Sequence, residues 1–183
     1  MNLTVDWVFG INCKVSNIKY TCSKGLKAAN ERIVYTVGKI IIVYFPKLNI
    51  QHYYKEHTQS ISVIEISKDQ RFAASGEEGN YPEIHIWDLR TNSNVLKFKK
   101  LHKDSINFLH FFKDDKQLIT TSGNSLQSPL IILDIFTQEI LMSTYLQYSI
   151  IGIVFNQEFP LKGSDFLVVS GGEFAFFSQQ KEN

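Results

Sequence analysis

The stretch Glu83–Asp88, reading Glu-Ile-His-Ile-Trp-Asp, constrains the fold more than any other part of the chain. Ile84, Ile86 and Asp88 alternate with His85 and Trp87, the period of two that a β-strand imposes on its two faces. A turn, Leu89-Arg90-Thr91-Asn92, follows at once, and then a second strand-like run, Val95–Phe98. Upstream lie a short strand ending at Ser75, a loop from Gly76 to Pro82, and His57, which opens the unit. The pattern recurs. His102 opens a later unit in which Leu130–Asp134 takes the slot of Ile84–Asp88, with Leu133 where Trp87 stood. Ile33, Phe72, Leu118 and Phe166 begin successive second strands, at separations of 39, 46 and 48 residues.

Short strands repeating at close to the roughly 40–45 residues of a propeller repeat imply blades of a β-propeller. No convincing amphipathic helix of about 10–12 residues separates the units, which excludes a βαβ architecture. The expected fold is all-β, a β-propeller of about four blades, either partial or part of a larger ring. It fills residues 1–183 as one domain: an opening strand in 1–12, blade 1 in 13–57, blade 2 in 58–101, blade 3 in 102–149, and an incomplete blade 4 in 150–178. Within the opening segment, Leu3, Val5, Trp7 and Phe9 share one face.

An open half-ring exposes apolar faces and two unpaired sheet edges, which soluble proteins avoid. Three arrangements meet the problem. The chain is part of a longer protein, or it docks its open edge onto another subunit, or it closes as a four-bladed ring with Leu3–Phe9 supplying the missing outer strand.

A formal net charge of +1 gives no broad field and no reason to expect nucleic acid as a partner. Lys97, Lys99, Lys100 and Lys103 form one local cluster, which reads first as a solvated strand edge guarded by lysines. Cys13 and Cys22 have no zinc spacing and read as reduced thiols of an intracellular protein. The longest apolar run, Ile40–Phe45, falls far short of the roughly 20 residues that span a bilayer. Met1–Gly10 carries Asp6 and no basic leader, so it does not read as a signal peptide. A soluble protein with no membrane partner is expected.

In a four-stranded blade a polar cluster often pins a loop to the sheet. His57, Ser75 and Trp87 suit three of its roles, and Glu77, Glu78 or Asn80 would replace the absent Asp. His102 and Ser122 are the counterparts in the third unit, where the aliphatic Leu133 must pack in place of the Trp. There is no Gly-x-Ser-x-Gly elbow, phosphate-cradling loop or metal-spaced His pair. The chain therefore reads as no enzyme, with no catalytic, cofactor-binding or metal-binding residue.

The repeats resemble the WD-repeat superfamily, through His57…Ser75…Ile84-His85-Ile86-Trp87-Asp88 and through His102…Asp134. The opening Trp7-Val8-Phe9-Gly10-Ile11-Asn12 and the long loop Gly76–Pro82 are similar to those of the WD-repeat cilia- and flagella-associated proteins. Their echinoderm-microtubule-associated-protein-like relatives share the likeness. That resemblance implies a non-catalytic scaffold in cytoplasm and cytoskeleton, on axonemal doublet microtubules of cilium or flagellum or on a complex bound to them. Its partners would be other proteins: axonemal subunits and tubulin. The alternative is a cytosolic adaptor that recognises a peptide in a ligase or trafficking complex. Candidate contacts are Glu77, Glu78, Asn80 and Tyr81 in the loop, with Lys97, Lys99, Lys100 and Lys103 facing an acidic surface.

Overall fold

Runs of β-branched and aromatic residues broken by polar turns give the chain its strands, because such side chains pack well on a pleated surface. The structure, a computed structural model, describes residues 10, 18–21, 31–112, 115–123, 128–146, 150–155, 166–170 and 173–177. The opening strand Leu3–Phe9, both cysteines and the loop Gln157–Ser164 lie outside the described residues.

The described residues hold strands and no helix. The first sheet runs in chain order through β1 (Ile18–Thr21), β2 (Arg32–Val37), β3 (Ile40–Phe45) and β4 (Ile50–Tyr54). The second contains β5 (Ile61–Ile66), β6 (Phe72–Glu77), β7 (Ile84–Asp88) and β8 (Ser93–Phe98). The third contains β9 (Ile106–Phe111), β10 (Gln117–Ser122), β11 (Ser128–Asp134) and β12 (Ile140–Leu146). The last has β13 (Ile150–Phe155), β14 (Phe166–Ser170) and β15 (Glu173–Phe177). All neighbouring strands are antiparallel. The fold is a partial β-propeller of about four blades.

Consecutive sheets stack, and a core fills each gap. Val34, Ile41, Val43 and Tyr54 of the first sheet meet Ile61, Ile64, Ala73 and Trp87 of the second. The second meets the third through Ile84, Ile86, Phe98, Ile106, Leu118 and Leu133. Ile119, Leu130 and Ile132 of the third pack on Val168 of the fourth. Strand β7 is therefore buried on both faces, sending Ile84 and Ile86 one way and Trp87 the other.

The broken alternation between Ile61 and Val63 is a β-bulge that leaves Ser62 as the extra residue. It re-aims the strand so that Ile61 and Ile64 share one core while Val63 joins the other. The Ser62 hydroxyl then reaches the Ile106 carbonyl of the next sheet, at 2.5 Å. Beside it, β6 passes so close to β9 that a Cβ on Gly76 would stand 2.7 Å from Ile106 Cβ. Only glycine fits there. Glu65 of β5 ties three sheets together, pairing with Lys19 of β1 and, at 3.1 Å, with His110 of β9.

Candidate functional site

The polar heart of the second blade begins at His57, three residues past the end of β4. Its Nε2 lies 2.6 Å from Ser75 Oγ and its Nδ1 3.1 Å from Glu77 Oε1. Glu77 Oε1 also accepts the Thr58 N–H at 2.8 Å and the Gln59 N–H at 3.2 Å, while Oε2 accepts the Glu83 N–H at 2.9 Å. One carboxylate thus gathers both ends of the region that enters and leaves strands β5 to β7. Burial alone would raise the Glu77 pKa. The bonds from His57 and from the backbone of Glu83, Thr58 and Gln59 outweigh it and hold the carboxyl at about 2.

His85 extends the cluster. It pairs with Ser75 across the β6–β7 ladder, and its ring stacks on His57 at 3.9 Å between centroids and 9° between planes. Its Nδ1 meets the Tyr54 hydroxyl at 2.9 Å and its Nε2 meets Glu83 Oε2 at 3.1 Å. Burial and then the neighbouring His57 push the His85 pKa down to about 4, so the imidazole is neutral at physiological pH. Burial, with the negative charges of Glu56, Glu77 and Glu83, raises the Tyr54 phenol.

Ser75, His57 and Glu77 stand in the bonding order of a Ser-His-acid triad. All three are buried, Ser75 and Glu77 with no exposed surface, so the hydroxyl faces no dissolved substrate. His57, Glu77 and His85 also offer ligand atoms within 4.8 Å of one another. Imidazole lone pairs lie in the ring plane, however, and two stacked, near-parallel rings cannot aim them at one ion. Every ring nitrogen already has a partner. The arrangement locks a loop.

Trp87 lies beside this network rather than within it. Its indole stacks on Tyr54 at 5.1 Å and 17°, and its N–H finds no acceptor among the described residues. In the third blade, His102 Nε2 pairs with Thr120 Oγ1 at 3.2 Å, and not with Ser122. His57 and Ser75 are 18 residues apart, as are His102 and Thr120, so the blade spacing itself points to Thr120. Ser122 stands where Glu77 stands in the second blade, 20 residues past its histidine. It supplies no carboxylate, and His102 Nδ1 is buried without a partner among the described residues.

No protein-family model matches the chain. WD repeat-containing protein 62 of Mus musculus is 29% identical over 96 residues, 52% of this chain and 6% of that protein. Cilia- and flagella-associated protein 52 of Mus musculus is 28% identical over 126 residues, 66% of this chain and 19% of that protein. WD repeat-containing protein 90 of Mus musculus is 25% identical over 150 residues, 80% of this chain and 8% of that protein. This chain is similar to WD-repeat proteins. It spans less than a fifth of the length of each of these relatives. A solved Kuenenia stuttgartiensis hydrazine synthase shares the fold, with a TM-score of 0.61 at 13% identity, over 80% of this chain and 51% of that one.

In the second blade, the Asp of Trp87-Asp88 has a turn-forming role. Asp88 Oδ1 accepts the N–H groups of Arg90 at 2.8 Å and Thr91 at 3.2 Å. Asp134 does the same in the third, for Phe136 and Thr137. Of the residues expected at a partner surface, Glu77 is withdrawn by its burial. Glu78, Asn80 and Tyr81 are exposed, on a loop held to the third blade by the Tyr81 N–H on the Lys103 carbonyl at 2.9 Å. Lys97 pairs with Glu56 at 2.9 Å and Lys99 with Glu83 at 2.7 Å, so two of the four lysines already face carboxylates. Lys100 and Lys103 are exposed.

Proposed function

We propose that this chain is a non-catalytic protein-interaction scaffold of the ciliary or flagellar axoneme, seated on doublet microtubules or on a complex bound to them. The observation that carries the reading is the match to cilia- and flagella-associated protein 52 over 66% of the chain. The buried cluster supports the non-catalytic part, because its nucleophile and base are walled off and its bonds are spent on holding a loop. Exposed Glu78, Asn80, Tyr81, Lys100 and Lys103 are the contact candidates on this frame. A subunit or further chain that covers the open blade edge completes the proposal.

The test is localisation of a tagged copy, followed by salt extraction of isolated axonemes. Retention on the axoneme after washing supports the reading, and a copy dispersed through the cytosol overturns it. A second reading is a cytosolic adaptor that holds a peptide in a ligase or trafficking complex. It draws on the match to WD repeat-containing protein 62 over 52% of the chain.

A further inference from the structure

The outer flank between the second and third blades opens into a cleft of about 170 Å³. A bulge in β8 shapes one wall: Leu96 pairs with Ile86 and Asn94 with Trp87, which leaves Val95 as the extra residue. Val95 and Leu96, adjacent in sequence, therefore both line the cleft. Ile135 and Phe136, on the turn that Asp134 caps, form the opposite wall. Phe136 is 67% exposed and Val95 45%, a concentration of large apolar surface left in water.

Size restricts the occupant. The volume falls below the roughly 300–1,000 Å³ of small-molecule sites and is close to the roughly 150 Å³ apolar cavity that takes one benzene. Charge restricts it further. Asp115 is the one ionisable residue of the lining among the described residues. Its two oxygens accept the N–H groups of Lys68 at 2.8 Å and Asp69 at 2.9 Å, which fixes the carboxylate and leaves lone pairs over. It has no ion pair among the described residues, and Arg71 lies over the Phe72 ring and faces Asp88 instead.

We infer that this cleft docks one aromatic side chain of a partner peptide that carries Arg or Lys next to it. The inference rests on the interaction-scaffold reading and deepens it by naming the partner's chemistry. The β7–β8 wall supplies apolar contact for the ring, and Asp115 selects for the adjacent cation.

Methyl NMR titration of the intact chain with acetyl-Gly-Phe-Arg-Gly-amide tests it. The expected result is saturable shifts confined to Ile86, Val95, Leu96 and Ile135. The Phe-Glu peptide binds roughly fivefold more weakly, the swing of one exposed charge pair. The Ala-Arg peptide does not saturate. Asp115→Asn removes the preference for Arg over Glu, and Val95→Lys, at an exposed position, abolishes binding in a chain of unchanged melting temperature. Three results overturn the proposal: no saturable shift with the Phe-Arg peptide, equal binding of the Phe-Glu peptide, or self-association abolished by Phe136→Ser, which makes a second copy the occupant. Each of these leaves axonemal retention of the unmodified chain untouched, so the two readings fail separately.

Discussion

Replacing Glu77 by Gln removes one charge and keeps the shape of the side chain, which makes it the most direct probe of the second blade. The carboxylate receives His57 Nδ1, two backbone N–H groups on Oε1 and a third on Oε2. An amide can accept on one side only. In its better orientation the carbonyl keeps Thr58 and Gln59, and the NH2 is turned against the Glu83 N–H. A carboxyl held at about 2 instead of 4.5 contributes about 3 kcal/mol at neutral pH. That contribution is fully present above pH 4.5 and is lost as pH falls through 2. The expected loss in urea unfolding at pH 7 is therefore about 3 kcal/mol, or a fall in melting temperature of about 6–12 °C for a chain of this size. Hydrogen exchange at Glu83, whose N–H loses its acceptor, should accelerate more than at Thr58 and Gln59 in the same variant. A loss below about 1 kcal/mol with the Glu83 amide still protected would refute the keystone role of Glu77.

Trp87→Ala should cost about 3–5 kcal/mol in denaturant unfolding, because the ring is wholly buried against Tyr54; native stability with lost partner binding would contradict this. Gly76→Ala should destabilise by about 1–3 kcal/mol as β6 is pushed off Ile106, and Ile106→Ala in the same chain should relieve that steric component in a double-mutant cycle. His85 and His102 are each held at about 4, the second by burial alone, against an ordinary 6.5. The unfolded chain takes up their protons first, so stability should fall between pH 6.5 and 4, by about 3 kcal/mol for each histidine. Urea midpoints across that range measure the slope, which His102→Phe should flatten. Thr120→Val should cost about 1–2 kcal/mol by unpairing His102, whereas Ser122→Ala should leave that bond in place; the reverse order would restore Ser122 as the partner.

The blade pattern is legible because period-two strands, polar turns and a near-constant repeat all describe the same object. Strand β7 shows why the side-chain network is harder to read. Its alternation places His85 on the face of Trp87, yet nothing local says that the face meets Tyr54 of the preceding blade, 31 residues away. The fully apolar β3 conceals its two environments, one face toward the second blade and one away from it. Glu77 reads as a loop acid because it falls in the stretch Gly76–Pro82, yet it is the last residue of β6, and the bonds gathered from Thr58, Gln59 and Glu83 show that it points inward. Thr120 was within reach of the 18-residue spacing, and the adjacent Thr121 and Ser122 obscured it. Ion pairs such as Lys97–Glu56 join residues from different blades and leave no periodic trace.

Walling off β7 on both sides has an evolutionary corollary. The segment that makes the chain recognisable is sealed from every visitor, so it carries no information about what the molecule grips. Two descendants could keep Ile84–Asp88 letter for letter and serve unrelated assemblies. Allegiance is written instead where packing imposes little, at positions such as Tyr81, Lys100 and Phe136, and those can drift without disturbing the frame beneath them.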